Sequence, residues 1–341
     1  MNNVLASSVC FAGWLLASTA LAAPPSETVS PLTVEGAMPR TITIQAQAFV
    51  QSKATAPNPE VGQISRWHQP VCVQVEGLAQ PVQAELVKAR IESVALEVGL
   101  PSPWNGANCE PNVEIVFTDN PQGTMDAVAK EREDLLGYYH RTERDRLKTV
   151  SHPIQAWYKT STGGTGNNGG LATATYWSQF GPKYSPDYPG RTRGSVTIDD
   201  PDNKLPTGCG DSPHFTACLT SQFENVFIVV DSKALAAKGV GLGLSAEYIV
   251  MLALSQPKSL DGCAPLMSVL DVMAKAACPA RGRPTGLTAA DSAWLTALYA
   301  SDPEAKGDGE RSEIADRMAN ILIKASAAGR SDPAAAGSGG R

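Results

Sequence analysis

Histidine is scarce in this 341-residue chain. There are four, His68, His140, His152 and His214, and no two stand at i, i+4 or in H-x-H. The sequence pattern therefore lacks the helix-borne imidazole pair on which a zinc ion is commonly held. No C-x-x-C occurs among the cysteines, which removes zinc knuckles and redox dithiols. The glycine-rich stretch "STGGTGNNGG" carries no Gly-Lys-Ser/Thr, so it is not a phosphate loop. G-x-S-x-G is also missing, and histidines scattered in this way assign no Ser/His/Asp triad. Basic residues do not dominate: 28 Lys and Arg face 34 Asp and Glu, a formal charge of −6. That balance gives no electrostatic footprint for nucleic acid or anionic lipid. The local exception, "HRTERDRLK" from His140 to Lys148, mixes Arg144 and Lys148 with Glu143 and Asp145 and reads as a solvated helix end.

What is present points to export. "VCFAGWLLASTALA" is an apolar run that ends in Ala20-Leu21-Ala22, the small residues a signal peptidase requires, and it is short for a bilayer span. The pattern predicts a signal peptide over 1–22 with cleavage after Ala22, although "MNN" supplies no basic side chain. The alternative is a buried N-terminal helix. No stop-transfer run follows, so no transmembrane anchor is expected after cleavage. Setting Cys10 aside leaves Cys72, Cys109, Cys209, Cys218, Cys263 and Cys278. An even count in an exported chain predicts disulfides, with free buried thiols as the alternative. Of the 15 possible pairings, Cys72–Cys109, Cys209–Cys218 and Cys263–Cys278 are favoured because each pair flanks one local unit. The expected compartment is periplasmic or extracellular.

Residues 23–38 are rich in Pro and Ser and predict a flexible lead-in to a domain over 39–327. "TITIQAQAF", Thr41 to Phe49, alternates and predicts a strand. "PVCVQVEGL" predicts a second strand, and "QPVQAELVKARIESVALEVG" a helix stopped by Gly99. "NVEIVFTD" reads as a strand, "PQGTMDAVAKEREDLLGYY" as a helix and "PIQAWYKT" as a strand. An irregular Gly-, Pro- and Tyr-rich insert over about 160–220 follows. "ENVFIVVDS" is a continuous apolar strand expected to be central. The helix "LSAEYIVMLALSQ", a cysteine-bounded loop, "LTAADSAWLTALYA" and a last helix near Arg311 to Ala325 complete the domain, and residues 328–341 have the composition of a disordered tail. Alternating strands and helices predict an α+β or α/β sandwich, with the disulfide-bounded end as a helical C-terminal lobe.

The helix Leu244 to Gln256 carries the sharpest hypothesis. Metzincin-type zinc peptidases use H-E-x-x-H-x-x-G-x-x-H, in which three imidazoles hold the metal and the Glu is general base on the bound water. Placed on that template, the chain keeps Glu247 but has Ala246, Val250 and Gln256 at the ligand positions. Downstream, Ser268-Val269-Leu270 resembles the Ser-[Ile/Val]-Met segment of matrixin-like proteins. Leu287, Thr288, Asp291, Leu295, Leu298 and Tyr299 match the Leu-Thr-x-x-Asp-x-x-x-Leu-x-x-Leu-Tyr helix that closes such domains. Thr288 suits an N-cap, and Trp294, Leu295, Leu298 and Tyr299 form an apolar stripe. The chain thus resembles a degenerate zincin over roughly Val71 to Pro303 outside the insert. The resemblance implies a zincin-like α+β fold, a mixed sheet packed with helices, with no metal or other cofactor and Glu247 as a vestige.

"TIDDPDN" places Asp199, Asp200 and Asp202 outside calcium-loop spacing and reads as a turn, with a weak cation site as the alternative. The insert aromatics Tyr176, Trp177, Phe180, Tyr184 and Tyr188 suit either loop packing or a groove for peptide or carbohydrate. The function expected is a non-catalytic zincin-like protein whose former cleft binds a peptide, protein or carbohydrate. The alternatives are a metallohydrolase with non-standard ligands and a structural envelope protein.

Overall fold

The structure, a computed structural model, describes residues 39–57, 62–102, 109–136, 147–164, 173–178, 219–275, 278, 282–305 and 307–328. Five strands, β1 (Val73–Glu76), β2 (Val113–Thr118), β3 (Ile154–Gly164), β4 (Thr173–Ser178) and β5 (Leu219–Asp231), form one sheet in the order β1-β2-β5-β3-β4. β1, β2 and β5 run parallel, and β3 is antiparallel to both β5 and β4. The sheet is covered on both faces, so its central strand is apolar at every step. Val226, Ile228 and Val230 of β5 point into the main core, while Phe227 and Val229 point to a second cluster with Trp157, Met125, Leu135 and Leu136. That dual burial is why "ENVFIVVDS" reads as an unbroken hydrophobic run.

Seven helices pack around the sheet among the described residues: α1 (Pro39–Lys53), α2 (Pro81–Glu97), α3 (Pro121–Glu131), α4 (Ser232–Ala237), α5 (Leu242–Leu254), α6 (Ala289–Ala300) and α7 (Gly307–Ala328). Met125 of α3 belongs to the second cluster, while α1, α2, α5, α6 and α7 bury their residues in the main core. β1 passes into α2 through Gly77, whose φ of 82° is left-handed and whose missing side chain leaves room for the Phe117 carbonyl.

One predicted strand is a helix. Thr41 to Phe49 lies inside α1, and its buried residues are Ile42, Ala46, Phe49, Val50 and Lys53. These recur at i, i+4, i+7, i+8 and i+11, a helical stripe concealed under the Thr-Ile-Thr-Ile alternation. Pro39 opens the helix where no amide hydrogen is needed, and Phe49 meets Trp294 with ring centroids 6.0 Å apart. Packing against α6 and α7 overrides the β-propensity of the run.

Cys72–Cys109 and Cys263–Cys278 are at disulfide distance, with Cα separations of 5.8 and 5.4 Å. Cys209 and Cys218 lie outside the described residues. So do the signal segment, His140, His214 and the Asp199–Asp202 turn. The disulfide-bounded end is not a lobe with a core of its own. Trp294, Leu298, Ile314, Met318 and Leu322 of α6 and α7 share one hydrophobic cluster with Phe49, Val87, Ile91 and Tyr248.

A buried ion pair closes this union. Arg66 lies just before β1 and donates to Leu298 O (2.6 Å) and Ser301 O (2.9 Å), the unsatisfied carbonyls at the end of α6. Its guanidinium also pairs with Glu310 on α7, whose other oxygen accepts Ile64 N at 2.7 Å. Gly307 passes so close to the Gly62 backbone that it has no room for a side chain, and Gly62 holds a left-handed φ of 71°, which brings Glu310 against the chain at Ile64.

Candidate functional site

α5 is buried along almost its whole length. Every residue from Ser245 to Leu254 is buried, so the helix forms an axle of the domain rather than an amphipathic surface element. Its C-terminal carbonyls are capped by aromatic donors from three separate segments. Tyr158 Oη on β3 donates to Leu252 O at 3.1 Å, Trp67 Nε1 to Ala253 O at 2.8 Å and Tyr299 Oη on α6 to Leu254 O at 2.8 Å. Groups that otherwise lack intrahelical partners are thereby satisfied inside the core.

Glu247 sits at the general-base position with 7% of its side chain exposed. Arg90 of α2 meets it in a two-point bridge, Nε to Oε1 at 2.6 Å and Nη2 to Oε2 at 3.0 Å. Gly286 passes beside the Glu247 side chain. A carboxylate with both oxygens held by one guanidinium is a strong structural clasp. Burial without that partner would carry a large desolvation cost. Local spacing does not reveal Arg90 as the partner of Glu247, since its only signal is its place among the helically spaced Val87, Ile91 and Val94.

The three template ligand positions are all inside the protein. Ala246 is buried beside Glu247, Val250 is in the core, and Gln256 is buried just past the end of α5. Neither amide atom of Gln256 has a hydrogen-bond partner among the described residues, and the Tyr248 hydroxyl is in the same condition. Burial and the nearby Arg66 charge lower the pKa of His68. His152 Nε2 contacts Asp261 Oδ1 at 2.8 Å, and its Nδ1 contacts Ser151 Oγ at 3.0 Å. Among the described residues no group of three or more His, Cys, Asp or Glu side chains is arranged to hold a metal ion.

The two downstream segments meet at one carboxylate. Asp291 Oδ1 accepts Ser268 Oγ at 2.5 Å, while Oδ2 accepts Val269 N at 2.8 Å and Thr288 N at 2.9 Å. Asp291 N donates back to Thr288 Oγ1 at 3.2 Å, completing a capping box at the start of α6. Ser268 in turn caps the short 3-10 turn Val269–Met273 with Asp271. Burial pushes the Asp291 carboxyl up to about 6 against the pull of these donors, which favour its ionised form. The sequence assigned Thr288 as a cap. It did not show that Asp291 also reaches Ser268, because that contact spans a loop.

Lys53 ends α1 inside the protein. Its ammonium donates to Ser259 O (3.1 Å) and Gly262 O (3.2 Å), tying α1 to the segment that leads into Cys263. Burial lowers its pKa, opposed by the negative charges of Asp271 and Asp291. Tyr176 and Trp177 lie on β4, in register with Lys159 and Tyr158, while Phe180, Tyr184 and Tyr188 lie outside the described residues.

Comparison with protein-family models, with curated proteins and with solved structures returned no match. Two cysteine pairs at disulfide distance fit an exported protein. Among the described residues no helix is long and apolar enough to cross a membrane.

Proposed function

We propose that the chain is an exported protein of zincin-like build that binds rather than hydrolyses. Its ligand, a peptide, protein or carbohydrate, is received at the surface that stands where a zincin has its substrate cleft. The Arg90–Glu247 clasp carries this reading. A general base must offer a lone pair to water, and here each carboxylate oxygen already accepts from the Arg90 guanidinium at a nearly fully buried position. Ala246 and Val250 bring no donor atom to the helix, which leaves Glu247 without the metal-bound water it would act on in a peptidase. The zincin part of the proposal is supported by the junction at Asp291. It joins Ser268-Val269 to Thr288 and Asp291, the two segments on which the resemblance rests. Export is supported by the two cysteine pairs.

The test combines metal analysis of the purified mature protein with turnover of a casein substrate by wild type and Glu247→Gln. The expected result is less than a tenth of an equivalent of zinc and the same background turnover in both. A full equivalent of metal with turnover abolished by Glu247→Gln would overturn the binding reading in favour of a metallohydrolase. Ancestry is tested separately by Ala246→His/Val250→His/Gln256→His. A folded variant that takes up one zinc supports the zincin backbone, and a folded variant that takes up none counts against it.

A further inference from the structure

Helix α2 has two apolar faces. Val87, Ile91, Val94 and Ala95 are buried against the core. Val82, Leu86 and Leu96 are 60%, 61% and 50% exposed. At about 100° per residue these three fall within a sector of about 80°, opposite the buried face, along about 21 Å of helix. Ala89 and Ser93 lie between them and are exposed as well. Among the described residues only four large hydrophobic side chains are exposed, and three of them share this stripe. A helix apolar on both sides is expected to be covered on both.

The rim of the stripe decides between occupants. Glu85 and Glu97 are exposed, and Glu92 is half-buried at the border. Arg90 is committed to Glu247 at 2.6 Å, with Glu97 at 3.9 Å, which leaves Lys88 as the other cation on the helix. An acidic rim repels a second copy of itself and an anionic membrane surface alike. The tail 329–341 contains no large apolar side chain, and 23–38 carries Glu27 and Glu35, so neither terminal segment complements the stripe by composition. We propose that the outward face of α2 docks a basic amphipathic helix of a partner protein, whose Leu- or Ile-type side chains cover Val82, Leu86 and Leu96 while Lys or Arg side chains meet Glu85, Glu92 and Glu97. This surface does not rest on the binding reading given above.

The experiment titrates the mature protein into a fluorescent Leu/Lys amphipathic helical peptide and follows anisotropy at low salt. A Leu/Glu peptide of the same pattern and a scrambled Leu/Lys peptide of equal charge serve as probes of chemistry and shape. The Leu/Lys helix is expected to bind at least tenfold more tightly than either control. Leu86→Glu is expected to weaken it at least tenfold and Glu85→Lys/Glu92→Lys at least threefold. Ile44→Glu, which alters the exposed apolar side chain on α1, is expected to leave binding within twofold. All these positions are exposed or on the surface border, and thermal melts confirm that the variants remain folded. Equal affinity for the scrambled peptide, or for the Leu86→Glu variant, would overturn the proposal. So would a concentration-dependent dimer abolished by Leu86→Glu, which assigns the face to a second copy. Binding of phosphatidylglycerol vesicles lost in the same variant would assign it to a membrane instead.

Discussion

Replacing Arg66 by Met probes the union of the chain's two ends, and its cost is expected to depend on pH in a defined direction. The substitution keeps the apolar stem and removes three interactions of the guanidinium, those with Glu310, Leu298 O and Ser301 O. The two carbonyls contribute about 1 kcal/mol each at any pH. The Glu310 share is conditional. Burial pushes its carboxyl from an ordinary 4.5 up to about 7, and the Arg66 charge holds it from rising further. The unfolded chain therefore ionises first, and wild-type stability is lost as pH climbs from about 4.5 to 7. Without Arg66 the folded carboxyl titrates higher still, so the loss extends to higher pH. At pH 5 Glu310 is protonated in both proteins, and Arg66→Met costs only the carbonyl bonds, about 2 kcal/mol. At pH 8 an isolated buried carboxyl must be charged or be protonated at a cost, and the total reaches about 3–5 kcal/mol. Urea unfolding followed by tryptophan fluorescence at the two pH values measures both. Arg66→Met/Glu310→Leu is expected to recover more than half of the loss at pH 8, because no buried charge remains. An equal cost at both pH values, or a cost below about 1 kcal/mol at pH 8, would refute the account of the pair as the clasp between the segment before β1 and the C-terminal helices.

Asp291→Asn is expected to destabilise by about 2–3 kcal/mol, since three donors at Ser268, Val269 and Thr288 lose a carboxylate acceptor. Because the folded Asp291 carboxyl titrates near 6 against an ordinary 3.8, its share of stability falls as pH rises through that window. Unfolding midpoints between pH 4 and 7 should lose part of their slope in the variant. Removing Cys72–Cys109 or Cys263–Cys278 by paired serine substitution is expected to cost about 4 and about 3 kcal/mol respectively, from loop closures of 37 and 15 residues. Thiol labelling before and after reduction checks that both bridges form. Gln256→Met should change stability by less than about 1 kcal/mol or raise it, because both amide atoms are buried without partners among the described residues. A loss above about 2 kcal/mol would reveal a partner for that amide.

Most of the sheet was legible in the chain, but β4 and the far ends of β3 and β5 lie in the stretch read as an irregular insert, and α1 was read as a strand. "ENVFIVVDS" declares a strand covered on both faces because apolar residues stand at both parities, and the two clusters of side chains on either side of β5 are the cause. In α1 the sequence carries two periods at once. Ile42 and Ile44 alternate with threonine, while Ile42, Ala46, Phe49 and Val50 repeat at helical spacing. Local propensity favours the first pattern. The helix prevails because burying the second set against Trp294 and α7 removes more apolar surface from water than a β-run with its solvent-side Ile44 can. Long-range polar contacts divide in the same way. The Thr288–Asp291 cap is legible because it closes within one turn. Ser268 to Asp291, Arg66 to Glu310 and Arg90 to Glu247 span 23, 244 and 157 residues and leave no mark on local spacing.

That division bears on the unusual character of α5. A catalytic helix must keep one face open to substrate, yet Ser245 to Leu254 are all inside, and three aromatic donors and one guanidinium fasten the helix to β3, α2, α6 and the segment before β1. Each contact restrains the helix in the core, and none requires a metal. The proposed loss of ligand histidines therefore carries no structural penalty in this arrangement. Ala246 and Val250 are apolar at interior positions, where an imidazole would need a partner for its ring nitrogens. Gln256 breaks the pattern, being polar, buried and unbonded among the described residues, and it lies where the template would place the third ligand. The two template positions on the helix proper are core, while the one beyond its end carries a polar group that the packing among the described residues does not use.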